Sequence, residues 1–109
     1  MELAGLYRDI VETSPDGIWV FDLDGRTVYA NPALRTFFGV DEAEMLRLTV
    51  FDSLDEVGKE QFAAHLDQLR GGRVNDHDVE CRFVRRDRTS MWVTVSESLL
   101  HGTDGSVTV

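Results

Sequence analysis

A single cysteine, Cys81, stands in the 109-residue sequence, so no internal disulfide can form, and neither a thiolate zinc site nor a CxxC redox pair can be assembled. We expect a reducing cytoplasm for such a chain. Basic side chains are scarce too: eleven Lys and Arg face twenty Asp and Glu, for a formal charge of −9. A surface of that sign repels a phosphate backbone, which argues against nucleic acid as a partner. No apolar run approaches the roughly 20 residues of a membrane-spanning helix. The N-terminus lacks the basic, then apolar, order of a secretory signal, so no membrane contact is expected of this segment. The three histidines and one cysteine fall in no pattern of nucleophile, base and orienting group, and autonomous catalysis is not expected.

Helix and strand periodicities organise what is present. Leu3, Leu6, Tyr7, Ile10 and Val11 follow the i, i+3, i+4, i+7, i+8 spacing of one apolar helix stripe, and Ser14-Pro15 stops that helix. The stripe suits packing on the domain's own core and suits a seam between two copies equally well. After the turn at Pro15-Asp16-Gly17, the short branched and aromatic run Ile18–Phe21 reads as a strand covered on both faces. Asp22-Leu23-Asp24-Gly25 supplies an Asp-Gly turn, and Arg26–Ala30 returns as the hairpin partner. Asn31 is a helix cap, Pro32 suits the first helical position, and Gly39 suits the left-handed exit after Phe38. Asp41–Glu44 resembles a capping box opening a second short helix, with Thr49–Ser53 as a connection. A longer helix is expected over Asp55–Arg70, with Phe62, Leu66 and Leu69 as its stripe, His65 at the stripe's edge, and Gly71-Gly72 at its end.

Alternation over Asp78–Arg86 predicts a half-buried strand with Val79, Cys81 and Phe83 on one face. A second long strand is expected over Ser90–Leu100, and a turn at Thr103-Asp104-Gly105 leads into a third. That strand is only beginning at Val109, so we expect the sequence to be a segment of a longer chain, cut in or after its last strand. Asp76, His77 and Asp78 offer a histidine with two carboxylates, but neighbours in an extended segment point in different directions, so no metal site is assigned. Arg82, Arg85, Arg86 and Arg88 form a basic run suited to solvent-facing ion pairs, to a carboxylate ligand, or to the chain's own acidic face.

The stretch SPDGIWVFDLDGRTVYANPALRTFFG at 14–39, the Gly-Gly-ended helix, and the strands DVECRFVRRDRTSMWVTVSESLL at 78–100 followed by TDGSV together resemble a PAS domain. The resemblance covers nearly the whole chain. It implies an α+β fold with a five-stranded antiparallel sheet, strand order 2-1-5-4-3, and short helices on one face. Residues 1–14 would form an N-terminal amphipathic helix and residues 15–109 the domain core. Relatives usually place Asp-Gly between the third and fourth strands, where this chain has Asp87-Arg88.

Domains of this kind serve as sensory or regulatory inputs of bacterial signalling proteins such as sensor histidine kinases or cyclic-dinucleotide enzymes. They bind a small ligand or partner, or only dimerise, and relay a conformational change to an output domain in the same parent chain. A pocket would be walled by Phe38, Phe51, Phe62, His65, Leu66, Cys81, Phe83, Val93 and Val95, and a homodimer seam would use Leu3, Leu6, Tyr7, Ile10 and Val11. No cofactor is assigned. Some haem-binding relatives ligate iron through a histidine on the long helix, which makes His65 the residue for that alternative, although a histidine bordering an apolar stripe is commonly packed. Cys81 lies on a predicted strand, away from the helix that carries the flavin-binding cysteine in photosensory relatives.

Overall fold

Short apolar segments separated by Asp-, Asn- and Gly-bearing turns fold into antiparallel strand pairs and short helices. The structure is a computed structural model, and it describes residues 3–74, 78–101 and 107–109. The elements in order are helix α1 (Leu3–Thr13), strands β1 (Trp19–Phe21) and β2 (Thr27–Ala30), helices α2 (Pro32–Phe38) and α3 (Glu42–Met45), a 3-10 turn at Val50–Ser53, helix α4 (Glu56–Arg70), and strands β3 (Val79–Val84), β4 (Ser90–Val95), β5 (Leu100–His101) and β6 (Val107–Thr108). The anticipated turn at Thr103-Asp104-Gly105, together with Asp76 and His77, lies outside the described residues.

Side-chain oxygens start the helices where the sequence places them. Asn31 Oδ1 accepts from Leu34 N at 3.1 Å, Asp41 Oδ1 from Glu44 N at 2.8 Å, and Asp55 Oδ1 from Gly58 N at 2.7 Å. Each satisfies an amide that has no partner inside the first helical turn.

The described strands make three antiparallel pairs, β1–β2, β3–β4 and β5–β6. Reciprocal bonds between Phe21 and Val109, at 3.1 and 2.9 Å, join β1 to the chain end. The long strand anticipated over Ser90–Leu100 is divided, and the register explains the division. Val95 pairs with Val79, the first residue of β3, so the β3–β4 ladder ends there, and the β5–β6 ladder begins only at Leu100.

The β1–β2 and β3–β4 hairpins close with the same loop. Asp22 N donates to Arg26 O and Gly25 N to Asp22 O, while Arg85 N donates to Thr89 O and Arg88 N to Arg85 O. Each is a three-residue loop whose last residue is left-handed: Gly25 at φ 85° and Arg88 at φ 68°. The second loop thus places an arginine, Arg88, in a conformation that favours glycine.

Apolar side chains collect in two clusters. Ala30, Leu34, Phe38 and Met45 are buried in the first, with Trp19, Phe37, Val40, Leu48 and Phe83 packed against them. Leu66, Leu69 and Val109 are buried in the second, beside Phe21, Leu23, Phe51, Phe62 and Leu99. Strand β1 serves both, sending Trp19 to one and Phe21 to the other, so this short strand is the common wall of the two halves.

Candidate functional site

Trp19 faces inward from β1 and is fixed at its polar edge. Its Nε1 donates to Thr27 Oγ1 at 3.0 Å, and the Thr27 hydroxyl donates to Leu48 O at 2.8 Å. Thr27 is buried, so this satisfied relay pins the indole and the Leu48 segment to β2. Around the indole, Phe38 and Phe83 stand edge-on or tilted at ring-centroid distances of 5.3 and 6.1 Å.

A pocket of about 380 Å³ opens beside this aromatic group. Its apolar walls are Trp19, Phe38, Val40, Met45, Leu48 and Val84, and its polar walls are Glu44, Arg47, Thr49, Asp52, Ser53, Arg85 and Arg86. The volume lies at the lower end of the roughly 300–1,000 Å³ of small-molecule sites.

The charged rim has an internal order. Arg86 reaches across to the Glu44 carboxylate, so β3's C-terminal end is tied to α3. Asp52 Oδ2 accepts from Thr49 N at 2.8 Å and caps the 3-10 turn. Arg85 lies over the Phe37 ring, 5.3 Å from its centroid, and donates through Nε to Thr89 Oγ1. Further along β3, Arg82 approaches Asp55 at 3.5 Å. Two members of the basic run therefore hold acids from the first half of the chain.

Of the nine residues expected to wall a pocket, Phe38 lines this one, and the other eight are not among its walls. Phe83 stands behind Phe38, with their rings 5.8 Å apart. Phe51 and Phe62 stack edge-on at 5.0 Å in the second cluster, where Leu66 is buried. Cys81 pairs with Val93 across the β3–β4 ladder and Val95 with Val79, all four half-buried. Burial pushes the Cys81 thiol above its ordinary range, and the Glu97 carboxylate pushes in the same direction.

His65 has both ring nitrogens engaged. Nε2 lies 2.6 Å from Glu97 Oε1 and Nδ1 lies 3.2 Å from Gln68 Oε1. The imidazole and the Glu97 carboxylate are only 18% and 12% exposed, so this contact clasps α4 to the segment between β4 and β5. Iron ligation at His65 requires one of these bonds to be given up. Among the described residues, no group of three or more His, Cys, Asp or Glu side chains is placed to hold a metal ion.

Asn31 is the junction between the site and α1. It is fully buried, and its side chain uses every bonding position: Oδ1 accepts from Ile18 N and Leu34 N, while Nδ2 donates to Val11 O and Asp16 O. A second tie joins Tyr29 Oη to Glu12 at 2.8 Å. Burial first, then that hydrogen bond, raise the Tyr29 phenol above its usual range. The C-terminal half of α1 is thereby docked on β2 and α2, while Leu6, Tyr7 and Ile10 are 39%, 59% and 55% exposed and Val11 is half-buried. The side chain of Leu3 is outside the described set.

A family model described as the PAS fold matches residues 5–109. The chain belongs to the PAS family. The probable diguanylate cyclase DgcE of Escherichia coli is 27% identical to it over 92% of this chain, and the sensor histidine kinase TmoS of Ectopseudomonas mendocina is 24% identical over 86%. This PAS domain spans 9% and 10% of the length of those two relatives. Among solved structures, a domain of the sensory box sensor histidine kinase/response regulator from Geobacter sulfurreducens superposes with a TM-score of 0.76 at 25% identity, covering 96% of this chain and 89% of that one. The α+β PAS fold expected from the sequence is thus that of this domain, whereas the expected five-stranded sheet in order 2-1-5-4-3 is not formed as one ladder: the six described strands make three separate pairs. No helix among its described residues is long and apolar enough to cross a membrane.

Sequence reasoning missed most of the pocket wall, because residues 40–53 carry no long periodicity. The available signal was the pair of caps, Asp41 and Asp52, which bracket a segment with Met45, Leu46 and Leu48 too apolar for a solvated loop.

Proposed function

We propose that this PAS domain is the sensory input of a bacterial multidomain signalling protein, of the sensor histidine kinase or cyclic-dinucleotide kind, and that it regulates catalysis carried out elsewhere in the parent chain. The observation that carries the reading is the pocket of about 380 Å³ walled by Trp19, Phe38 and Met45 and rimmed by charge. Its occupant is a small molecule held in the cytoplasm. The relatives DgcE and TmoS, named as a diguanylate cyclase and a sensor histidine kinase, support the setting.

The relay follows from what Trp19 touches. Beside it, Ile18 bonds the Asn31 side chain, which also holds the last turns of α1 through Val11 O. Two residues further, Phe21 makes the reciprocal pair with Val109. A pocket occupant that shifts β1 therefore biases both the N-terminal helix and the chain end, and differential affinity for two such packings is what a switch requires. The exposed stripe Leu6, Tyr7 and Ile10 supports a homodimer seam along α1, with residues 1–14 as helix and residues 15–109 as core. The ligand-free dimerisation module is the second reading, and the same exposed stripe favours it.

Native mass spectrometry of the freshly purified domain tests both parts. A two-chain species with added small-molecule mass is expected, and a monomer of bare chain mass that gains nothing from a metabolite extract overturns the proposal.

A further inference from the structure

The pocket rim carries more positive charge than its own acids use. Arg47, Arg85 and Arg86 line it against Glu44 and Asp52, on a chain whose net charge is −9. Glu44 is taken by Arg86, and Asp52 is occupied with capping Thr49. Neither Arg47 nor Arg85 makes an ion pair among the described residues. Two guanidinium groups thus line the pocket without a direct ion pair; the acid acting on Arg85 is Asp87 of the same loop, reached through the Thr89 hydroxyl, which accepts from Arg85 and donates to Asp87. Arg85 is held in place by the Phe37 ring and by Thr89, so little further ordering is needed for it to receive an anion.

We infer that the occupant is a small hydrophobic carboxylate, its apolar body against Trp19, Phe38, Met45 and Leu48 and its carboxylate between Arg85 and Arg47. This rests on the ligand-sensor reading above. A guanidinium suits a carboxylate because its planar fork matches two oxygens. A cationic ligand would meet two arginines with both rim acids already engaged, and a neutral one would leave the arginine charge unused. The inference extends to the chemical class of the ligand, and the wall favours a flat or aromatic body because Trp19 and Phe38 present ring surfaces.

Three probes of one shape and different charge decide it: phenylacetate, 2-phenylethanol and 2-phenylethylamine, titrated into the isotope-labelled domain and followed by amide and indole shifts. Phenylacetate is expected to bind about tenfold more tightly than the alcohol and to move Trp19, Leu48, Val84 and Arg85. Arg85→Gln and, separately, Arg47→Gln are expected to weaken phenylacetate roughly three- to tenfold and to leave the alcohol unchanged, an effect that fades as salt rises. If Arg85→Gln does not fold, exposed Arg47→Gln carries the comparison alone. Equal binding of acid and alcohol, tighter binding of the amine, or phenylacetate binding indifferent to both substitutions overturns the carboxylate assignment while leaving the pocket a ligand site. No response to any of the three probes overturns this assignment and counts against the ligand-sensor reading as well.

Discussion

Replacing Asn31 perturbs the domain at its most fully bonded side chain. Asn31→Ala leaves Ile18 N, Leu34 N and Asp16 O without partners and takes from Val11 O the shorter of its two hydrogen bonds, the four contacts to Ile18, Leu34, Val11 and Asp16 now spanning 2.9, 3.1, 3.1 and 2.9 Å. An orphaned buried group costs about 1–3 kcal/mol. Leu34 N is the most deeply buried of the four, and water entering the vacated space recovers part of the rest, so the expected loss is about 3–5 kcal/mol. That is a large fraction of the roughly 5–15 kcal/mol of a typical domain. With m near ~1.5 kcal/mol/M the urea midpoint, followed by tryptophan fluorescence, falls by roughly 2–3 M.

Asn31→Asp is the sharper variant because its shape is preserved. The acceptor toward Ile18 and Leu34 remains, while the amide that donated to Val11 O and Asp16 O becomes an oxygen facing two oxygens. A carboxylate there is disfavoured, so the folded-state pKa of the introduced carboxyl group rises above its unfolded value of about 3.9. With the folded pKa raised, the deficit relative to the parent is smallest below the unfolded pKa and grows as pH climbs through the folded one. An Asn31→Asp protein within about 0.5 kcal/mol of the parent at pH 7, or a deficit that does not change between pH 7 and 4, would refute the assigned bonding.

Other consequences follow at separate positions. Arg88→Gly removes a left-handed arginine at φ 68°, and set against the unfolded-state entropy of glycine it should raise stability by about 0.5–1 kcal/mol in urea, whereas Gly25→Ala should destabilise because Gly25 is left-handed at φ 85° and a Cβ there would also crowd the Phe51 and Phe62 rings at 3.2 Å. His65→Ala strips the half-buried Glu97 of a 2.6 Å partner and should cost about 1–2 kcal/mol; an unchanged midpoint would show that the clasp contributes nothing. Cys81 alkylation by iodoacetamide should be slow and should take off at higher pH than in the urea-unfolded chain, since burial and Glu97 both disfavour the thiolate; matching pH profiles would contradict this. Leu6→Glu with Ile10→Glu should convert the dimer expected in sedimentation to monomer, and an unchanged mass would sink the α1 seam.

Local chemistry made most elements legible in the sequence. Asn31, Asp41 and Asp55 each cap the helix they precede, and the apolar stripe of α4 buries Leu66 and Leu69 as its spacing requires. Tertiary pairing decided the rest. Nothing within Ser90–Leu100 indicates that its ladder stops at Val95, because that limit is set by where β3 begins. The inward facing of Cys81, Phe83, Val93 and Val95 was readable from period two, yet facing inward does not place a side chain on a cavity. Which half of the interior stays open depends on how residues 40–53 wrap over Trp19, and that depends on the Thr27 bridge to Leu48, a contact between positions twenty-one residues apart. Arg85 illustrates the same limit: the basic run suited solvent, a ligand or the chain's own acids alike in sequence, and only the folded chain shows Arg85 both lining the pocket and lying over the Phe37 ring.

Coupling between the pocket and the two chain ends is the claim on which the sensory account stands. Hydrogen–deuterium exchange of the domain, with and without whichever phenyl probe binds most tightly, measures it directly. The account predicts that occupancy slows exchange at the pocket walls and also changes it in α1, Leu3–Thr13, and around the Phe21–Val109 pair. Protection confined to the pocket walls, with α1 and the chain end exchanging as before, would contradict it.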